Sequence, residues 1–206
     1  MIGYYNYTVI LTYIGTFFGF LGVIFISEAD LKMALVCLVA AGFCDMFDGK
    51  IASTRQRTKA EKRFGIQIDS LSDLISFGVL PALIVLYCSE KNVFSVLVSA
   101  LFLLCALIRL AWFNVDEEER QNQTSARREF YLGLPVTSMA LLLPLLLGLG
   151  FKFNLPMEKL SSWGLLIIAA AFLLPFQLKK PKLIGITVML TAGIAGFIIV
   201  LSGGIA

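Results

Sequence analysis

The chain has 206 residues, of which 58% are hydrophobic, and it carries a formal net charge of +3. Its mean hydropathy of +0.86 is too high for an ordinary soluble domain, so we expect residues 1–206 to form a single membrane-embedded domain. The sequence contains no histidine, which excludes a histidine general base and a histidine-ligated zinc site. It also lacks a Walker-type glycine loop, which argues against an ATP-driven pump.

Seven apolar stretches are long enough, or nearly so, to supply the roughly 20 helical residues that cross a bilayer. In chain order they lie at 7–27, 31–49, 67–88, 92–113, 134–152, 160–178 and 183–203. The connections between them are too short to form a separate soluble domain. The predicted fold class is therefore all-α: a polytopic membrane helical bundle with about seven transmembrane helices.

The first predicted span carries a face of small residues, Gly15, Gly19 and Gly22, at which a neighbouring helix can approach closely. Packing within the bundle is the simpler interpretation of this face, and the seam of a homodimer is the alternative. The first basic side chain is Lys32. The charged start of a secretory signal is therefore missing, and we expect this span to be retained.

Four carboxylates interrupt the second and third predicted spans. Asp45 and Asp48 are three residues apart, and Asp69 and Asp73 are four apart, so each pair lies on one helix face. A charged carboxylate near the middle of a membrane helix costs roughly 2.5–3.5 kcal/mol on insertion scales, so the four acids require compensation. Carboxylate oxygens are the ligands that Mg²⁺ and Mn²⁺ prefer, and paired ions assist displacement at phosphorus. The pattern predicts a site for two such ions, whereas helix-end caps and surface acids are the alternative.

The segment around these acids has further fixed spacings. In order, it contains Asp45, Asp48, Gly49, Ala52, Gly65, Asp69 and Asp73. This series resembles the signature of the CDP-alcohol phosphotransferases, D-x2-D-G-x2-A-R-x8-G-x3-D-x3-D, at seven of its eight fixed positions. The resemblance implies that the four aspartates bind the metal and that Asp73 is also catalytic, as the general base. It further implies that Gly49, Ala52 and Gly65 lie against CDP.

The chain departs from this signature in two ways. Ser53 stands where the signature has arginine, and the interval from Ala52 to Gly65 is three residues longer than usual. We expect Arg55 to reach back and supply the missing CDP-binding guanidinium.

Three stretches narrow the resemblance within the family. They are similar to segments of the membrane-embedded phosphatidylserine synthases, and they read FGIQIDSLSDLISFGVLPA (64–82), RLAWFN (109–114) and GLP (133–135). In the second stretch, Trp112 stands where these synthases usually have a second arginine. The resemblance implies transfer of a phosphatidyl group from CDP-diacylglycerol to L-serine, with release of CMP. Transfer to glycerol 3-phosphate or inositol phosphate is an alternative within the family. A divalent-cation transporter, whose acids line a pathway, is the alternative from another class.

Arg109 and Ser70 are the predicted substrate contacts. Arg109 lies inside the fourth predicted span, and its planar guanidinium suits a phosphate or a carboxylate. The alternative is that this side chain snorkels to the membrane interface. Ser70 follows Asp69 at the position where the glycerophosphate branch of the family typically has proline, which leaves a hydroxyl at the cleft.

Lysine and arginine are unevenly distributed between the predicted connections. Twelve lie in the connections after spans 2, 4 and 6, against four on the opposite side. The positive-inside rule therefore predicts a multi-pass cell-membrane protein whose N-terminus and acidic site face the cytoplasm. The basic 50–63 connection is expected to attract anionic membrane lipids or a nucleotide diphosphate, and no nucleic-acid partner is predicted.

Other features carry no predicted chemistry. The charged run in the 114–131 connection is interpreted as a solvated surface, and the apolar stretch past Leu183 as scaffold. The four cysteines fall in predicted spans without paired metal spacing, so we expect them to be reduced packing residues.

Overall fold

The computed structural model describes residues 2–123, 130–179 and 198, and these residues are helical apart from turns and one short pair of strands. The helices are α1 (Tyr7–Ser27), α2 (Leu31–Ala52), α3 (Lys59–Asp73), α4 (Leu80–Cys88), α5 (Val93–Gln123), α6 (Met139–Lys152) and α7 (Met157–Leu173). Strand β1 (Phe130–Leu132) pairs in antiparallel fashion with β2 (Gln177–Lys179). The predicted helical architecture is confirmed, and the strand pair is an addition that hydropathy does not predict.

Three helices in the described part of the chain are long and apolar enough to cross a membrane. They are α1, the continuous helix Lys59–Cys88 and the Val93–Arg120 portion of α5. The segment Val136–Lys152, a single 3₁₀ turn followed by α6, is a shorter apolar helix. These helices identify a membrane protein. The count of seven spans stays a prediction, and the seventh, at 183–203, lies outside the described residues except for residue 198.

The first two helices pack closely because α1 presents its glycines to the bundle. Gly15, Gly19 and Gly22 are all buried. A Cβ atom added at Gly15 would lie 3.3 Å from the Cβ of Cys44 in α2, and one added at Gly22 would lie 3.1 Å from the Cβ of Cys37. The small-residue face therefore serves packing within the bundle, which was the simpler of the two interpretations.

The third predicted span is part of a longer helix that begins in the basic connection. The Thr58 side chain accepts a hydrogen bond from the Glu61 N–H, and the Glu61 carboxylate accepts one from the Thr58 N–H. This capping box starts α3 at Lys59, eight residues before the predicted start at 67. After Asp73 the helix continues through a π-helical segment, Leu74–Val79, into α4.

Pro81 lies in the first turn of α4, directly after the π-helical segment. Proline has no N–H, and in a regular α-helix its ring clashes with the carbonyl of the preceding turn. The wider π-helical turn gives the ring room, so the helix passes Pro81 without ending.

The fourth predicted span also extends further than its hydropathy indicates. Helix α5 continues past 113 through the acidic run to Gln123. Arg120 pairs with Glu117 one turn earlier at 2.5 Å, and Glu118 accepts a 2.8 Å hydrogen bond from Arg63 of α3. The described part of the predicted 114–131 connection is therefore mostly helix, stabilised by ion pairs that a hydropathy scan does not register.

Contacts between connections group them at two ends of the bundle. The Arg63–Glu118 pair joins the beginning of α3 to the C-terminal part of α5, and the β1–β2 pairing joins the segments that follow α5 and α7. At the opposite end, Asn92, before α5, donates a 2.8 Å hydrogen bond to Glu158, in the first turn of α7. Between these ends the core is filled by large apolar side chains, including Phe102 and Phe172, whose ring centroids are 5.4 Å apart.

Candidate metal centre and its surroundings

Three of the four predicted metal ligands converge between α2 and α3. Asp45 and Asp48 of α2 and Asp69 of α3 each contribute a carboxylate oxygen, and these oxygens all lie within 4.8 Å of one another. All three side chains are half-buried. The cluster consists entirely of carboxylate oxygens, so its donor chemistry fits a hard divalent cation such as Mg²⁺ or Mn²⁺.

The fourth predicted ligand, Asp73, lies beside this cluster and outside the 4.8 Å group. It is buried, with 8% of its surface exposed, and it is the last residue of α3 before the π-helical segment. Electrostatic interactions connect it with Asp45, Asp48 and Asp69. Burying a fourth like charge next to three others is costly unless cations balance them, which strengthens the case for a metal site.

Helix α1 contributes a hydroxyl that was not among the predicted site residues. Thr12 Oγ1 donates a 3.0 Å hydrogen bond to Asp48 Oδ2. One turn further along, Thr16 Oγ1 lies 2.9 Å from the Thr12 carbonyl and 2.7 Å from Ser72 Oγ. The sequence does carry a signal for this contact, because Thr8, Thr12 and Thr16 recur at four-residue intervals in an otherwise apolar helix.

The predicted CDP-binding positions lie around the cluster. Gly49 follows Asp48 directly, and a Cβ atom added there would meet no other atom within 4 Å, so the backbone faces open space. Ala52, the last residue of α2, is buried. A Cβ atom added at Gly65 would lie 3.1 Å from Nη1 of Arg57. The open backbone at Gly49 leaves space beside the acids for a ligand, and the binding of CDP there stays a prediction.

The two arginines of the basic connection have different surroundings. Arg55 is exposed, and its Nη2 lies 3.6 Å from Glu61 Oε1. Arg57 is half-buried, and its Nη1 lies against Gly65 of α3. Arg55 was the arginine predicted to bind CDP. That role stays a prediction, and the described contacts place Arg57 against α3 one helical turn before Asp69.

Ser70 is buried and turned toward α5. Its Oγ donates a 2.6 Å hydrogen bond to Asn114 Oδ1, and the Asn114 amide donates a longer one, 3.4 Å, to Gln67 Oε1. The predicted hydroxyl at the cleft is therefore part of a polar pair between α3 and α5. Its contact with a substrate stays a prediction.

Arg109 is buried rather than extended to the membrane surface, with 6% of its surface exposed. Its Nε donates a 3.3 Å hydrogen bond to the carbonyl of Leu134, and its guanidinium lies 6.0 Å from the centre of the Phe113 ring. Gly133, with a φ of +71°, donates its N–H to the Phe176 carbonyl at 2.7 Å. Arg109 thus holds the Gly-Leu-Pro turn, and its predicted phosphate contact stays a prediction.

Known proteins resemble this chain over most of its length. A family model described as CDP-alcohol phosphatidyltransferase matches residues 5–195. A CDP-diacylglycerol–serine O-phosphatidyltransferase of Saccharomyces cerevisiae is 38% identical over 108 residues, which make up 51% of this chain and 38% of the relative. A protein of the same name from Helicobacter pylori is 34% identical over 140 residues, 67% of this chain and 55% of the relative.

An archaeal protein matches a larger share of the chain. The archaetidylserine synthase of Methanothermobacter thermautotrophicus is 29% identical over 168 residues, which make up 81% of this chain and 66% of the relative. The chain thus spans between 38% and 66% of the length of these three relatives.

Proposed function

Because the chain belongs to the CDP-alcohol phosphatidyltransferase family, we propose that it transfers a phosphatidyl group from CDP-diacylglycerol to L-serine. The products are phosphatidylserine and CMP, as in phospholipid biosynthesis. The observation that carries the proposal is the convergence of Asp45, Asp48 and Asp69 beside the open backbone of Gly49. The choice of serine is supported by the names of the relatives, two of which are serine O-phosphatidyltransferases.

The four aspartates hold Mg²⁺ or Mn²⁺, with two ions in the full site. Three of their oxygens already lie within 4.8 Å of one another, and Asp73 adds a fourth carboxylate next to them. Metal held by these residues would neutralise the diphosphate of the CDP-lipid and stabilise the charge that develops during transfer.

The side chains and backbone of the cleft bind the substrates and accept the proton that is released during transfer. Gly49, Ala52 and Gly65 let the CDP head approach the two helices closely. The serine hydroxyl attacks the lipid-side phosphorus, the new oxygen–phosphorus bond forms, and the bond to CMP breaks. A carboxylate oxygen of Asp73 accepts the hydroxyl proton. Arg109 and Ser70 contact the substrates, and Arg109 has the donor geometry that a serine carboxylate requires.

The enzyme is a multi-pass protein of the cell membrane, and its site faces the cytoplasm. Basic residues surround the end of the bundle at which α2 ends and α3 begins, and cytoplasmic connections carry the excess of lysine and arginine. The lipid tails lie among the apolar helices while the CDP head reaches the acidic cleft from the cytoplasm.

An acceptor screen on the purified protein tests this function. With CDP-diacylglycerol and Mg²⁺ or Mn²⁺, we expect L-serine to support CMP release, and glycerol 3-phosphate and inositol phosphate not to do so. Turnover with glycerol 3-phosphate alone would leave the family assignment standing and refute the serine acceptor. Metal transport across sealed vesicles without any release of CMP would favour the transporter.

A pair of variants links the activity to the acidic cluster. Asp69→Asn preserves the side-chain volume and removes a ligand charge, so we expect CMP release to fall at least about 100-fold. Glu119→Gln removes an exposed acid near the end of α5 and serves as the matched control. Equal activity of the two folded variants would contradict the site assignment.

A further inference from the structure

We propose that Arg57 binds the diphosphate of the CDP-lipid in this chain, taking the place of the arginine that Ser53 replaces in the family signature. This inference deepens the proposed function and rests on it. It assigns to Arg57 the role that sequence reasoning gave to Arg55. Three features of the described residues carry it: the contact with Gly65, the burial of Arg57 within an exposed connection, and the position of Arg55.

The first feature is the contact with Gly65. The Nη1 atom of Arg57 lies 3.1 Å from the place that a Cβ at position 65 would occupy, so the guanidinium covers the bare backbone of this glycine. Gly65 lies inside α3, where glycine costs about 1 kcal/mol relative to alanine. An alanine here would press against the guanidinium. Glycine at position 65 thus leaves room for the Arg57 guanidinium beside α3.

The second feature is burial. In the stretch 53–60 every residue is exposed except Arg57, which is half-buried. An arginine in a solvated connection ordinarily extends into water, because its charge is best hydrated there. Arg57 is instead partly covered by the protein, and its Nη1 lies against the backbone of Gly65 in α3.

The third feature is the position of Arg55. Its guanidinium lies 3.6 Å from Glu61, and 44% of its side chain is exposed. Glu61 in turn accepts hydrogen bonds from the Thr58 N–H at 2.8 Å and from the Asn6 amide at 3.1 Å. These contacts fix Glu61 at the first turn of α3, so Arg55 is held at the helix start, on the solvent side.

The chemistry of the ligand fits this placement. A diphosphate carries negative charge on both phosphoryl groups, so a cationic side chain beside the metal ligands would bind it favourably. The planar fork of an arginine binds a phosphate through two parallel N–H donors. Arg57 lies against Gly65, one helical turn before Asp69 on the same face of α3, so one diphosphate in the cleft reaches the metal ligands and this guanidinium together.

Direct binding of CDP to the purified protein in the presence of Mn²⁺ tests the assignment. We expect Arg57→Ala to weaken CDP binding about tenfold or more, the size of a lost charge-assisted hydrogen bond, and Arg57→Lys to weaken it less. Lys62→Ala removes one positive charge from an exposed site in α3 and is the matched control, with a change below about twofold. Binding of cytidine, which has no phosphate, should be the same in all variants.

Each result separates this inference from its alternatives. If Arg55→Ala and Arg57→Ala weaken CDP binding equally, the basic connection acts through its general charge and the assignment to Arg57 is wrong. If Arg57→Ala lowers Mn²⁺ affinity and leaves CDP binding intact, Arg57 only positions Asp48. If the wild type binds CDP through Arg57 but releases no CMP with serine, the acceptor is refuted and the inference stands. A wild type that does not bind CDP refutes both.

Discussion

Thr12 lies 36 residues before Asp48 in the chain, yet its hydroxyl donates a 3.0 Å hydrogen bond to that carboxylate. Partners of this kind orient a metal-ligating carboxylate, and their loss commonly costs ten- to hundredfold in metal affinity or activity. The hydroxyl belongs to a helix outside the acidic motif, so it couples the packing of α1 to the geometry of the site.

We therefore expect Thr12→Val to weaken Mn²⁺ binding about tenfold, because valine keeps the shape of threonine and lacks its donor. Thr12→Ser, which retains the hydroxyl, should remain close to wild type. The measurement is the dissociation constant for Mn²⁺, obtained from the free Mn²⁺ concentration at equilibrium. CMP release at saturating metal is a second readout. Thr16→Val, which removes a hydroxyl one turn away without a described carboxylate partner, is the control. Equal losses for Thr12→Val and Thr16→Val would indicate a general packing defect.

At this scale, the sequence predicts the positions of side chains on regular helices better than those of side chains in a connection. The spacing of Asp45 and Asp48 and the position of Asp69 in its own helix placed all three on site-facing surfaces, and their oxygens converge. The partners of Arg55 and Arg57 depend on how the connection folds over α3. Sequence spacing alone does not fix that path.

Two helices begin or end at residues other than the predicted ones because of local side-chain hydrogen bonds and ion pairs. Hydropathy predicted the third span from 67, whereas the capping box of Thr58 and Glu61 begins the helix at Lys59. Hydropathy ended the fourth span at 113, whereas ion pairs of Glu117 and Glu118 extend α5 to Gln123. A scan for apolar residues finds the membrane-spanning part of a helix, and side-chain hydrogen bonds decide where that helix begins and ends.

The Gly-Leu-Pro turn before α6 requires glycine at its first position because of the backbone geometry there. Gly133 has a φ of +71°, and a Cβ atom added there would lie 3.0 Å from the Leu174 carbonyl oxygen and 3.2 Å from that of Phe172. An L-residue is strained at such a φ, and here it would also press on two carbonyl groups. The same turn accepts the hydrogen bond from Arg109.

We expect Gly133→Ala to lower the free energy of unfolding by about 1–3 kcal/mol, measured as thermal unfolding in detergent. Gly49→Ala is the matched control, because Gly49 lies in a helix with open space around its Cα. Alanine there should leave the stability unchanged or raise it by up to about 1 kcal/mol. A Gly133→Ala protein as stable as wild type would mean that the turn relaxes at no cost.

At the scale of the whole molecule, the outer surface is that of a protein surrounded by lipid. Phe17 and Phe20 of α1 and Leu97 and Leu104 of α5 are all more than half exposed. A water-soluble protein of this size rarely exposes so many large apolar side chains together. The glycine face of α1 is internal, so a homodimer, which stays a prediction, would use another surface.

The predicted orientation rests on the distribution of charge rather than on packing, and it stays a prediction. The structure adds that Arg63–Glu118 joins the beginning of α3 to the C-terminal part of α5, and that the β1–β2 pairing joins the segments after α5 and α7. Among the described residues, the basic side chains Arg55, Arg57 and Lys62 lie between the end of α2 and the first turn of α3, close in the chain to the acidic centre. Which side of the membrane this end faces follows from the positive-inside rule alone.

Cysteine labelling in cells tests that orientation. Lys62 and Lys159 are exposed and lie in the first turns of α3 and α7, at opposite ends of the bundle. With a membrane-impermeant maleimide, we expect Lys159→Cys to react in intact cells and Lys62→Cys to react only in inverted vesicles. The wild type is the background control, because three of its four cysteines are buried and the fourth is half-buried. Labelling of Lys62→Cys from outside would reverse the orientation and separate the site from cytoplasmic CDP-lipid, so the proposed function would then need an external nucleotide source.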